Sequence, residues 1–355
     1  MDRRDFLKST GAVAAASTLA VGQSLAADHQ ASVATPAVNR GIRQLRLALP
    51  WADGFAGPAD WANRLARSIA LLGQGHLEVS LQYSADDGLA AVQKGDADLF
   101  FGDLNAHAGQ HRGFSFFSGL PGECGLPPRL LNTWLVAGGG QALWDELGAE
   151  ANIKPLLAAH TGPTSYFMAS RRIETVGALA GCRMQIIGLG GDVARGLGLE
   201  PVNMAPAHIA DAIANGELLA AECGGAIATY AVGLTRSAAY SAGTSINRNG
   251  SALALAINRP FWESLQDSEQ AVLTAAAASE FNQSLAEEEA HRHLLHPAAD
   301  ANRIWPIALE LDHAIRQIAD AVVAHVAGSD ATTRRINHSY NAFRRSTRYS
   351  ESFIG

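Results

Sequence analysis

Cysteine is nearly missing from this chain: there are three in 355 residues, Cys124, Cys182 and Cys223. Their spacing matches no metal-ligand pattern, which argues against a cysteine-built metal centre. In an oxidising compartment one pair could bridge and leave the third over, and the sequence does not say which. Methionine is scarce too, with four residues that read as core. No segment approaches the roughly 18 unbroken apolar residues of a membrane helix. There is no Gly-x-Ser-x-Gly elbow, no His-Glu-x-x-His and no nucleotide loop, so the commonest hydrolase, zinc-protease and nucleotide-enzyme marks are absent. No repeat recurs at solenoid period. Charged residues make up only 17% of the chain and sum to −7. That acidic balance argues against a nucleic-acid or anionic-membrane partner.

What is present starts with an address. Residues 3–8 read Arg3-Arg4-Asp5-Phe6-Leu7-Lys8, a twin-arginine export signature. An apolar, Ala-rich stretch from Gly11 to Val21 follows and ends in small residues at Ser24-Leu25-Ala26. We expect a signal peptide over 1–26, cleaved after Ala26, and a periplasmic product exported by the twin-arginine route. No Cys stands at lipobox spacing. Cleavage removes three cations and two carboxylates, so the formal −7 becomes −8. More than 300 residues then remain, 48% of the whole chain being apolar, enough for a large core and two lobes.

Residues 27–42 have the composition of a disordered leader. Order should begin with an alternating strand at 44–49, followed by a helix over 61–72 and a strand over 77–83. A helix at 88–93 and a buried strand at 97–101 complete a βαβαβ pattern. The pattern repeats with strands at 182–187, 201–204 and 218–223. Between them lie a Gly188-Leu189-Gly190-Gly191 turn, a helix from Asp192 to Leu197 and another over 208–214. Two such units predict an α/β, two-lobed binding protein with a ligand cleft. Residues 262–296 predict one long helix, capped by Asp267 with Gln270 and stopped by Pro297, long enough to span both lobes. Helices at 308–326 and 330–349 finish the chain. The expected domains are lobe I over 43–162 plus 251–285, and lobe II over 163–250 plus 286–355. Closure should hinge near Gly162 and residues 247–252.

Five blocks stand in order: Phe114 to Pro121, Gly138 to Glu146, Gly188 to Val193 with Pro201-Val202-Asn203, Ala256 to Leu265, and Ser339 to Phe343. Together they resemble the DctP family of TRAP (tripartite ATP-independent periplasmic) receptors, and most of all its 2-oxo-acid, pyruvate-type branch. The resemblance runs from about Leu47 to Arg348. It implies two α/β lobes and a long shared helix, and a small organic acid handed to TRAP permease subunits in the membrane. It also implies no enzymatic turnover, and a possible homodimer through the C-terminal helices.

The site departs from that pattern. Family members carry an Arg that clamps the ligand carboxylate, and here Gln185 takes its place in Arg183-Met184-Gln185-Ile186. Of the Gln, Glu and Trp that the branch gathers around a sodium ion, Glu222 remains, while Thr164 and Cys223 replace the other two. The expected ligand residues are therefore Gln185, Glu222, Cys223 and Thr164, with Glu222 also the candidate cation ligand. Arg248 is the candidate relocated carboxylate partner. Trp51, Asn105 and His107 join them because they follow first-lobe strands. No organic cofactor is expected. Three further readings stay open: an amine or polyol as ligand, an enzyme pairing Cys223 with His107 or His160, and a periplasmic sensor. His291, His293 and His296 do not share a helix face and do not suggest a metal site.

Overall fold

The computed structural model describes residues 41–84, 87–107, 111–164, 167–242, 244–295, 304–305 and 309–351. The signal peptide, most of the leader, His296 and Pro297 lie outside the described residues.

The first lobe alternates strand and helix as its sequence periodicity requires. Its elements are β1 (Arg43–Ala48), α1 (Pro58–Leu72), β2 (Leu77–Gln82), α2 (Gly88–Lys94) and β3 (Leu99–Gly102). The short α3 (Ser115–Ser118), α4 (Pro128–Ala137), α5 (Gly140–Glu150) and β4 (Ile153–His160) follow. Helix α1 starts with Pro58, whose missing N–H costs nothing in a first turn, and buries Trp61, Leu65 and Ile69 at i, i+4, i+8.

The second lobe holds β5 (Met168–Ala169), β6 (Arg183–Gln185), α6 (Gly188–Gly196), β7 (Glu200–Val202) and α7 (Pro206–Ala214). It continues with β8 (Ala220–Ala221), α8 (Ala226–Ala231), α9 (Leu234–Ser237) and β9 (Tyr240–Ala242). The chain then returns to lobe I as β10 (Ala252–Asn258), buried along its whole length, and α10 (Arg259–Ser264). Last come α11 (Asp267–His291), β11 (Ile304–Trp305), α12 (Leu309–Ala327) and α13 (Ala331–Glu351).

The sheets run in the orders β2-β1-β3-β10-β4 and β11-β9-β5-β8-β6-β7. Strands β1, β2 and β3 are parallel, whereas β10 enters antiparallel between β3 and β4. In lobe II, β6 pairs parallel with β7 and β8. The α/β, two-lobed architecture is the one expected from sequence.

Two crossing segments, 161–164 and 244–251, join the lobes and bond to each other. The Thr161 N–H donates to the Ser251 carbonyl at 3.0 Å, and the Thr164 N–H to the Arg248 carbonyl at 2.9 Å. Gly250 has φ 72°, and a β-carbon there would sit 1.8 Å from the Gly162 carbonyl oxygen, so this crossing demands glycine.

Helix α11 is about 38 Å long at 1.5 Å per residue. It packs on β4 and α1 of lobe I and reaches α8 of lobe II. Its start is one residue earlier than expected, because the Gln266 N–H bonds Glu269 Oε2 at 2.8 Å, making Gln266 the cap instead of Asp267. The assignment of both C-terminal helices to lobe II needs correction. Helix α12 packs on α6, but α13 lies against α3 and α5 of lobe I. Aromatic burial decides it: Tyr340 meets Trp134 edge-on at 5.1 Å, and its hydroxyl accepts the Leu126 N–H at 2.6 Å. No helix among the described residues is long and apolar enough to cross a membrane.

Candidate ligand-binding site

Ligands of open α/β sheets bind beyond the carboxyl ends of parallel strands, and two expected residues stand there. Gln185 ends β6 and Glu222 follows β8, and the Glu222 N–H donates to the Gln185 carbonyl at 2.9 Å. Both side chains are buried, with 6% and 7% exposure.

Glu222 Oε1 accepts the Ile246 N–H at 2.5 Å and Oε2 the Asn247 N–H at 3.0 Å, both from the second crossing segment. Burial pushes its carboxyl up to about 7, against the pull of those amides and of Arg248. Thr164 sits on the adjacent crossing segment. Its hydroxyl donates to the Gly224 carbonyl at 3.1 Å, and its own carbonyl accepts from Ser245 Oγ at 2.5 Å. Gln185 Oε1 accepts the Met204 N–H at 2.7 Å. Gln185 and Glu222 are thus joined directly, while Thr164 bonds Gly224 and Ser245 beside them.

Arg248 goes elsewhere. Its guanidinium donates to Glu123 Oε1 at 2.8 Å, to Thr244 Oγ1 at 2.6 Å and to Asp312, tying the crossing segment to a lobe I turn and to α12. Two carboxylates already hold it. Trp51 packs edge-on against Phe101 at 5.7 Å, part of the lobe I core. His107 closes the 3-10 turn Leu104–His107, and its side chain lies outside the described set. All three cysteines are free. Burial and the Glu222 charge push the Cys223 thiol up to about 12. Burial likewise holds His160 down to about 3, with its Nδ1 accepting the Gly162 N–H at 3.0 Å.

Asn105 meets the second lobe directly. A β-carbon on Gly188 would lie 2.1 Å from Asn105 Nδ2, so the close approach exists only because residue 188 is glycine. The glycines expected to form a turn are instead the first turn of α6 itself. Gly188 supplies the sharp entry with φ 61°, and no side chain caps the helix.

Several contributors were not singled out from sequence. Asp103 accepts the Asn105 N–H at 2.7 Å, and burial pulls its carboxyl above the usual range. Arg112 of lobe I pairs with Asp192 of α6 across the lobes. The Asn247 amide lies where a Gly190 side chain would start, 2.6 Å away. Only the sheet topology brings these together, and no local motif marks them.

A hard cation would find one charged donor, Glu222, with the Thr164 hydroxyl and the Gly224 carbonyl as neutral oxygens. Both Glu222 oxygens already accept backbone N–H groups, and no set of three His, Cys, Asp or Glu among the described residues converges to hold a metal. The oxygen-only donors fit sodium or calcium better than a transition metal.

Residues 83–328 match the model of bacterial extracellular solute-binding protein family 7, DctP. The chain belongs to this family. Residues 1–20 match the twin-arginine translocation signal, and the protein is exported to the periplasm by that route. It is an extracellular solute-binding protein. A monocarboxylate 2-oxoacid-binding periplasmic protein of Nostoc sp. is 26% identical over 362 residues, covering 97% of this chain and 94% of its own length. A TRAP solute-binding protein from Pseudoalteromonas atlantica, with bound sodium and pyruvate, superposes with a TM-score of 0.81 at 22% identity. That match covers 88% of this chain and 97% of the other. A second, from Bordetella bronchiseptica, is a dimer with copurified calcium and picolinate in one active site. It gives 0.79 at 22% identity, covering 88% and 96%.

Proposed function

We propose that the solute is a small organic acid, a 2-oxo acid or related monocarboxylate, bound at the lobe junction and released to the permease. One observation carries the reading most. The uncapped amino-terminal turn of α6 opens beside Gln185 and Asn105, and a helix start with free N–H groups favours an anion. The ligands named for the Nostoc and Pseudoalteromonas relatives support the same class. Ligand contacts are assigned to Gln185, Asn105, Glu222 and Thr164, and Glu222 would also hold a sodium or calcium ion if one accompanies the acid. The protein binds without turnover: a thiol at about 12 and a histidine at about 3 supply neither nucleophile nor base near neutral pH. A thermal-shift screen of the mature protein tests the class. Stabilisation by pyruvate or a close analogue is expected. Hits confined to amines or polyols would move the ligand to Glu222 and reject the acid.

The chain also pairs with a second copy through α12 and α13, in our reading. Tyr340 and Phe343 plug an aromatic cluster around Trp134, a seat that a partner's helix could fill identically. The Bordetella relative is itself a dimer. Light scattering at micromolar concentration decides: a monomeric mass removes the pairing.

A further inference from the structure

We propose that the carboxylate of the solute is gripped by neutral donors alone, Asn105 Nδ2 from lobe I and Gln185 Nε2 from lobe II, over the first turn of α6. This rests on the organic-acid reading above. It adds which atoms hold the acid and which acids the site refuses.

Asn105 and Gln185 are 7% and 6% exposed, so each amide is held inside the protein. Their oxygens are fixed by other partners. Asn105 Oδ1 accepts Ser115 Oγ at 2.7 Å, and Gln185 Oε1 accepts the Met204 N–H at 2.7 Å. Fixing each oxygen fixes the direction of its NH2 group, and neither NH2 has a partner among the described residues. Asn105 Nδ2 is aimed at the first residue of α6, whose leading N–H groups are also uncapped. The Asn105 amide donor thus stands beside the uncapped N–H groups that open α6. Neither amide nitrogen is sealed inside the protein without a partner, so an anionic oxygen supplied from outside could accept from them and from the helix start.

The arginines around these elements already pair with carboxylates. Arg183 pairs with Glu217 at 2.6 Å, and Arg112 and Arg195 both pair with Asp192. Arg248 is held by Glu123 and Asp312 through its two terminal nitrogens, with its buried Nε unpartnered. Asp103 and Ser118 fix the Asn105 backbone through its N–H and act as positioning residues. With Glu222 on the same side and these guanidiniums already paired with carboxylates, a second carboxylate on the solute would meet repulsion with little compensation. The site should therefore accept monocarboxylates and refuse dicarboxylates.

The test is calorimetry on the mature protein with pyruvate and 2-oxoglutarate as probes. Wild type should bind pyruvate at least tenfold tighter than 2-oxoglutarate. Asn105→Asp and Gln185→Glu keep the oxygens that Ser115 and Met204 need, so both should fold with near-native melting curves. Each should weaken pyruvate by about tenfold or more, the usual size of a lost hydrogen bond to a charged group. Arg248→Ala should stay within about threefold of wild type. Unchanged pyruvate affinity in both amide variants overturns the neutral grip and leaves the organic-acid reading standing, as does loss of binding in Arg248→Ala alone. A stabilised Asn105→Asp that binds pyruvate normally means that residue 105 only caps α6, and it also overturns the grip. Failure of every monocarboxylate to bind wild type removes both readings.

Discussion

Glu288, near the end of the spanning helix, accepts the Ala226 N–H at 2.7 Å and so ties α11 to the start of α8 in lobe II. Its other oxygen, Oε1, is buried without a partner. Burial pushes this carboxyl up to about 7, opposed by the Ile227 and Ala226 amides and reinforced by Glu287. A carboxyl raised in the folded state binds its proton more tightly there than in the unfolded chain. The stability it contributes is complete below about pH 4.5 and is lost as pH rises through about 7. Glu288→Gln should abolish that loss and stabilise the protein at pH 8 by on the order of 2 kcal/mol, with little gain at pH 5. Urea midpoints at the two pH values read the effect. An equal shift at both would mean that titration of Glu288 is not the cause.

Gly250 marks the second crossing between the lobes. A β-carbon there would lie 1.8 Å from the Gly162 carbonyl oxygen, at φ 72°. Gly250→Ala must move the backbone of one crossing segment and should cost roughly 2–3 kcal/mol in thermal or urea unfolding. Gly139→Ala is the control. It also has positive φ but meets nothing within 4 Å, so only the conformational part of the cost, about 1 kcal/mol, should remain.

The elements were legible in the sequence wherever burial is one-sided. Trp61, Leu65 and Ile69 drew α1 by their spacing, and the alternation of Leu77, Val79 and Leu81 drew β2. Glycine-rich starts were harder to read. Residues 188–191 carry few side chains to show a period, so the first turn of α6 looked like a loop. Side chains that act across lobes were hardest, because their partners are far away in sequence. Asn105 was placed near the site by its strand end, yet its approach to Gly188 depends on how the lobes meet. Arg248 looked free because Glu123 and Asp312, which hold it, come from a distant turn and from the C-terminal helix.

Arg112 and Asp192 form an ion pair between the lobes, with Arg195 as a second donor to Asp192. Arg112 is 40% exposed, so the pair adds little to unfolding stability, about 0–1 kcal/mol. Its effect should fall on closure. Arg112→Ala should leave the melting temperature nearly unchanged, enlarge the ligand-free radius of gyration by small-angle scattering and speed solute dissociation several-fold. With saturating pyruvate both proteins should contract to the same size. A variant indistinguishable from wild type in scattering and in dissociation rate removes the latch.

Gln185→Arg puts the two demands on this position in opposition. Gln185 is an acceptor, holding the Met204 N–H at 2.7 Å, and its amide also carries an NH2 donor. Arginine has no acceptor, so the Met204 N–H loses its partner, and a guanidinium is buried where exposure is only 6%. The variant should lose roughly 1–3 kcal/mol of stability in the absence of solute. In exchange it brings a fixed positive charge and a two-pronged donor to the carboxylate site, and such a charge-assisted pair is about twice as strong as a neutral bond. Pyruvate should then bind about tenfold or more tightly, and 2-oxoglutarate, refused by wild type, should bind measurably. Calorimetry with both acids and melting curves with and without them separate the two effects. If Gln185→Arg lowers the melting temperature and gains affinity for neither acid, the carboxylate does not sit at the end of β6, and its holder must be sought elsewhere in the cleft.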